Sequence, residues 1–334
     1  MQEAWPAFLQ SCDAIGRRTQ WSAVCEAAQV LKPSTSQDVR AFFEQHFEPF
    51  EIVKQTGPQS DDLGLMTGYF EPVLDGARAP SAGFRTPLYA PPPDLLTVDL
   101  GAVYPELKGK RLRARLDGRR VVPYYSRADL EHDPALKGDE IVWVGDAIGA
   151  FFLEVQGSGR VRLPTGETIR LHYADENGYP YRSIGRYLID HGELKPGEAS
   201  MPAIRAWALA HPERLKELLD ADPSVVFFHE EPLGDPALGP KGSLGVPLTP
   251  GRSIAVDPTA VPLGAPVYLA TTFPASDVAL QRLVMGQDTG GAIRGSVRAD
   301  FFWGIGSAAA GYAGQMRQPG RMWLLWPRDE PLPR

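Results

Sequence analysis

Apolar residues recur at helical spacing near the start of the chain, with Ala7, Phe8, Cys12 and Ile15 on one face. Residues 3–31 therefore read as two short helices. Ser36, followed by Asp38 and the apolar Val39, Phe42 and Phe43, marks the start of another helix over 36–50. From about 51 to 182 the pattern changes to short apolar or alternating runs broken by Gly, Pro and Asp. Glu51-Ile52-Val53, residues 68–71, 141–144, 151–156, 161–163 and 168–171 are expected as strands, with a hairpin at Leu163–Thr168. Helical spacing returns at Ser183–Asp190 and Met201–Leu219, and strand-like runs at 225–228, 253–256, 267–269, 283–285 and 322–326. Between them, Glu230–Gly251 is rich in Gly and Pro and reads as a linker or a domain crossover.

Composition sharpens this picture. A chain of 334 residues holds two domains or one large one, and its 34 glycines and 32 prolines imply many turns and short strands, hence a β-rich fold. The net charge of −7 disfavours a sequence-independent nucleic-acid binder, which needs a basic surface. The best apolar stretch, Ile141–Val155, is interrupted by Asp146 and Glu154, so no membrane-spanning helix is expected. Met1-Gln2-Glu3-Ala4-Trp5 does not look like a signal peptide, which leaves a cytosolic protein or a mature form. Cys12 and Cys25 either close a small disulfide loop or remain two buried thiols.

Metal and triad chemistry find little support. The six histidines are scattered without a His-Glu-x-x-His pair, two cysteines cannot form a zinc knuckle, and no Gly-x-Ser-x-Gly elbow occurs. Gly304-Ile305-Gly306-Ser307-Ala308-Ala309 mimics a dinucleotide fingerprint but opens no βαβ unit. The informative residues are Asp257, Asp288 and Asp300, each ending or interrupting an apolar run beside Gly, Pro or aromatics. Such carboxyls are either turn caps or partly desolvated acids, whose raised pKa suits proton donation near neutrality. Asp288-Thr289-Gly290 is the aspartic-protease tripeptide, but a single chain would need a second copy, and none is present. Glycosidic-bond cleavage also uses carboxylates, together with exposed aromatic, amide and hydroxyl groups. Tyr69, Phe70, Gln156, Ser158, Tyr173, Tyr179, Tyr181 and Trp303 could supply these.

Several stretches, in order, resemble the membrane-bound lytic murein transglycosylase A family. They are Thr67-Gly68-Tyr69-Phe70-Glu71-Pro72, Phe84-Arg85-Thr86-Pro87-Leu88-Tyr89, the run 151–159, the run 177–185 and Pro223-Ser224-Val225-Val226-Phe227-Phe228. Ser253-Ile254-Ala255-Val256-Asp257, the run 288–295 and the run 298–304 follow, and resemble a "3D" domain whose three aspartates align with Asp257, Asp288 and Asp300. The resemblance implies a mainly β fold: a double-psi β-barrel over 1–72 and 232–334, a second, smaller β-barrel inserted at 73–231, a groove between them for the glycan, and N-terminal and peripheral helices. It implies cleavage of the MurNAc-β-1,4-GlcNAc bond of peptidoglycan without water, leaving a 1,6-anhydro ring.

By motif position Asp300 is expected as the catalytic acid, then base, with Asp288 beside it. Asp288 either helps keep Asp300 protonated or only holds the turn after it. Asp257 is expected as a structural turn residue. Thr67, Gly68, Tyr69, Gln156, Gly157, Ser158 and Trp303 are expected to line the sugar subsites. Arg294 and Arg298 either contact substrate carboxylates or balance the acids. No metal or cofactor and no nucleic acid is expected. The partners implied are peptidoglycan glycan strands and other cell-wall enzymes, for a monomer in the periplasm at the outer membrane. Some members carry a further acid after the Gly-Ile-Gly run, where this chain has Ser307-Ala308-Ala309-Ala310. Hydrolysis with water and a non-catalytic glycan-binding scaffold are the alternatives.

Overall fold

The computed structural model describes residues 1–56, 59–110, 112–130 and 136–333. The chain divides into two compact units, Met1–Phe70 with Gly234–Arg334, and Glu71–Leu233. In chain order the elements that matter here begin with helices α1 (Ala4–Ile15), α2 (Thr19–Val30) and α3 (Ser36–His46), and strands β1 (Phe47–Glu51) and β2 (Gly64–Glu71). The second unit contributes β3 (Val73–Ala77), β4 (Thr86–Tyr89), β5 (Glu140–Val144), α4 (Ala147–Gln156), β6 (Ser158–Arg162), β7 (Thr168–Glu176), α5 (Ile184–Asp190), α6 (Met201–Ala210), α7 (Leu215–Asp220) and β8 (Val226–Glu231). The chain then returns through β9 (Ser253–Val256), β10 (Pro266–Thr272), β11 (Ala279–Asp288), β12 (Arg298–Ile305), α8 (Gly306–Ala313) and β13 (Arg317–Pro327). The fold is mainly β with helices at its margins.

In the first unit one sheet runs β1-β13-β10-β11-β9-β12-β2, and β2 also pairs with β13. Its core combines the inward faces of these strands with Trp5, Phe8, Phe42, Phe43 and Phe47 from the N-terminal segment. The two cysteines are joined, tying α1 to α2 with Cα atoms 5.3 Å apart. Helix α3 starts at a capping box in which Thr35 accepts from the Asp38 N–H and Asp38 accepts from the Thr35 N–H. It stops at His46, earlier than the pattern suggests, because Phe47–Glu51 pairs antiparallel with β13.

The second unit builds a six-stranded sheet, β8-β7-β6-β3-β5-β4. Two expectations are corrected there. Residues 151–156 belong to helix α4, not to a strand. The apolar run Ala150–Leu153 that opens this segment is too short to carry a period of its own. Here Asp146 caps the helix by accepting from the Gly149 N–H (2.9 Å), and Gly157 ends it in the left-handed region, at φ 75°. Ile148, Phe151 and Phe152 then pack on Ile184, Leu188 and Trp207. The helix expected over Met201–Leu219 is broken in two at His211-Pro212, since the proline has no N–H to continue α6.

Where the chain enters this unit, Glu71 is fully buried. It accepts from Arg160 Nε (2.9 Å) and Arg170 Nε (2.7 Å), and Arg170 also donates to the Leu233 carbonyl, where the chain leaves the unit.

Candidate active site

Strand alternation places the acids. On β12, Ala299, Phe301 and Trp303 face the apolar layer, which leaves Arg298, Asp300 and Phe302 on the other face. Ala255 of the central strand β9 is in register with Asp300 on one side and with Asp288 on the other. Paired residues point to the same face of a sheet. The two carboxylates therefore share a face, their backbones about 10 Å apart across two strand spacings. The residue between them is an alanine, so no large side chain separates them.

Strand β2 supplies the hydroxyls. Thr67 Oγ1 donates to Asp300 Oδ1 at 2.6 Å, and the Tyr69 hydroxyl donates to Asp288 Oδ2 at 3.1 Å. The Tyr69 ring packs on Phe302, centroids 5.1 Å apart. Asp288 Oδ1 accepts from the backbone N–H of Ser243 (2.9 Å), from Ser243 Oγ (3.0 Å) and from the N–H of Thr289 (2.9 Å).

Asp300 keeps part of its surface exposed, yet burial of the carboxyl raises its pKa to about 6. The negative charge of Asp288 acts in the same direction, while the Thr67 bond and the Arg298 charge oppose it. Asp288 is also raised by burial, against the pull of its four donors. The Tyr69 phenol is held well above its ordinary range, chiefly by burial and then by the two carboxylates, so it stays a donor.

Four of the expected residues, Thr67, Tyr69, Asp288 and Asp300, are thus brought together. Gly68 and Trp303 lie on the opposite faces of β2 and β12. A Cβ on Gly68 would come within 2.6 Å of Trp303 Nε1, so only glycine admits this approach. Trp303 stacks on Tyr312 (4.6 Å, 17°) and donates to Met316 Sδ, so the structure does not bring it to the carboxylates. Gln156, Gly157 and Ser158 form the turn from α4 into β6 in the second unit, and Ser158 is buried.

Asp257 accepts from the Gly295 N–H (2.8 Å), the Thr259 hydroxyl (2.7 Å) and the Thr259 N–H (3.1 Å), and these bonds lower its pKa. Sequence reasoning missed Ser243. It lies within the stretch read as a linker, and no local signal separates it from other turn serines. Among the described residues no group of three or more His, Cys, Asp or Glu could hold a metal ion, and no helix is long and apolar enough to cross a membrane.

Family models match residues 65–229 as an MltA specific insert domain and 252–326 as a 3D domain. The lytic transglycosylase LtgG of Burkholderia pseudomallei is 45% identical, covering 98% of this chain and 90% of that one, with a TM-score of 0.67. A membrane-bound lytic murein transglycosylase A of Vibrio cholerae is 29% identical over 99% of this chain and 89% of its own. The Escherichia coli MltA solved with bound chitohexaose is 26% identical, covering 97% and 89% of the two chains, with a TM-score of 0.72. Fold and relatives together define a lytic transglycosylase, an enzyme acting on the bacterial cell wall. The chain belongs to the membrane-bound lytic murein transglycosylase A family.

Proposed function

We propose that this enzyme cleaves the MurNAc-β-1,4-GlcNAc bond of peptidoglycan with Asp300 as its one proton-transfer group. The observation that carries the reading is a partly exposed carboxyl held protonated up to about pH 6 and fixed by Thr67 at 2.6 Å. Protonated Asp300 gives its proton to the glycosidic oxygen of the leaving glucosamine as the bond to C1 breaks. The C6 hydroxyl of the same muramic acid attacks C1, and the Asp300 carboxylate takes the O6 proton. Attachment to the same ring gives that hydroxyl an effective molarity that water does not match. Nothing is oxidised, no water enters, and the 1,6-anhydro ring closes.

Asp288, with four donors on its carboxylate, acts as a fixed anion that orients Tyr69 and helps hold the proton on Asp300. Asp257 is assigned to its turn. Gln156, Gly157 and Ser158 are assigned to glycan contact on the resemblance alone. The pairing of β2 with both β12 and β13 supports the barrel reading of the first unit. The 3D and insert matches support the division into a catalytic domain and an inserted one. A bound chitohexaose in the Escherichia coli protein supports an oligosaccharide substrate, and the relatives' membrane-bound character supports a periplasmic site at the outer membrane.

Mass spectrometry of digested murein tests the reaction. Anhydro-ended products, about 18 Da lighter than reducing-end products, are expected. Hydrated ends alone would remove the intramolecular attack and leave a hydrolase.

A further inference from the structure

Arg298 stands two residues before Asp300 on the same face of β12. Its side chain is half-buried, and its guanidinium is held by backbone. Nη1 donates to the carbonyl of Ala299 (2.6 Å) and to that of Leu65 (3.3 Å). Leu65 lies on β2, two residues before Thr67, the residue whose hydroxyl holds Asp300. One arginine therefore grips both strands on which the acid and its hydrogen-bond donor stand.

The groups facing Asp300, among the described residues, can be named by element. Its own strand gives Arg298, β11 gives Asp288, β2 gives Thr67 and Tyr69, and β9 gives the uncharged Ala255. Arg298 is thus the cation in a set otherwise anionic or neutral. A carboxyl that must donate and then accept a proton within one turnover needs a pKa between extremes. Burial and Asp288 alone would drive it upward.

We propose that Arg298 is a positioning residue of this reaction, pinned across β12 and β2 by two backbone carbonyls so that its fixed charge sets the pH range in which Asp300 can both give and recover a proton. The proposal rests on the reading of Asp300 as the acid. It assigns Arg298 to the carboxyl beside it and not to a carboxylate of the substrate.

The test is the pH profile of anhydro-product formation from murein for the wild type, Arg298→Gln, Arg298→Lys and Asp300→Asn. Activity of the wild type should fall on the alkaline side as Asp300 loses its proton. Removing the charge in Arg298→Gln should move that limb upward by about one pH unit, a tenfold change in the ratio of protonated to ionised carboxyl. Arg298→Lys keeps the charge but loses the planar fork. It should keep the wild-type midpoint at a lower kcat, with KM little changed.

An unmoved limb in Arg298→Gln overturns the proposal. So does a raised KM at an unchanged limb, the mark of a substrate contact. If the Gln variant does not fold, a Lys variant with a limb displaced as far as one pH unit overturns it, and one with the wild-type midpoint supports it. An active Asp300→Asn would instead remove the reading of Asp300 itself, and so the two failures are told apart.

Discussion

A carboxyl at position 300 that stays protonated up to about pH 6 leaves a mark on stability as well as on rate. The unfolded chain releases that proton near pH 4, so the folded state binds more protons between there and about 6. Stability contributed by this group therefore falls as pH rises through that window and stays lower above it. Asp300→Asn carries no such slope. It is expected to lose nearly all activity while melting at or above the wild-type temperature at pH 8, with the gap closing below pH 4. A thermal-shift series across pH, run beside the murein assay, reads both. Asp288→Asn should reduce activity less and lower the melting temperature, because an amide nitrogen meets donors where the carboxylate accepted four bonds. An unchanged rate with an unchanged melting point would contradict both of its assigned tasks. Asp300 and Asp288 were legible because each ends an apolar run beside glycine or aromatic residues. Ser243 was not, since its bond to Asp288 spans 45 residues and leaves no local pattern. Trp303 was expected among the sugar contacts because an aromatic residue near an acid has no face until its strand register is known.

Elements divide into those with a period and those without. The two N-terminal helices were legible from spacing, yet their cysteines left a disulfide and free thiols equally open. The structure joins Cys12 to Cys25. Replacing both by serine should cost about 3 kcal/mol of folding stability for a loop of this length. Urea unfolding with and without reductant checks it, and a reductant-insensitive midpoint would contradict the bridge. Helix α4 was misread because the short apolar run Ala150–Leu153 fits either period, and only the Asp146 cap and Gly157 stop decide it. The turn at Asp257 invites a further test. Asp257→Ala strands the N–H groups of Gly295 and Thr259. A loss of about 1–3 kcal/mol is expected, with activity per folded molecule retained. Because hydrogen bonds hold the Asp257 pKa below the ordinary range, its stabilising contribution should disappear as pH falls through that lowered value.

At the scale of the whole molecule, composition and the Gly/Pro-rich stretch near 230–251 indicated a β-rich chain with a crossover. The structure divides at Phe70/Glu71 and Leu233/Gly234. The buried cluster of Glu71, Arg160 and Arg170 was not legible, because a lone glutamate after an aromatic run reads as a strand end. Glu71→Gln leaves two buried guanidiniums short of their counter-charge, and a loss of about 3–5 kcal/mol is expected, measured by chemical denaturation. β2 holds Thr67, Tyr69 and Glu71 at alternate positions, with the two hydroxyls on the acids and the carboxylate on the arginines. A substitution along such a ribbon acts at its own position, but a change in its count of residues acts on every position beyond it. One codon gained or lost between Thr67 and Glu71 would turn either the hydroxyls or the carboxylate to the wrong side. This stretch is therefore where the enzyme should tolerate no difference in length at all.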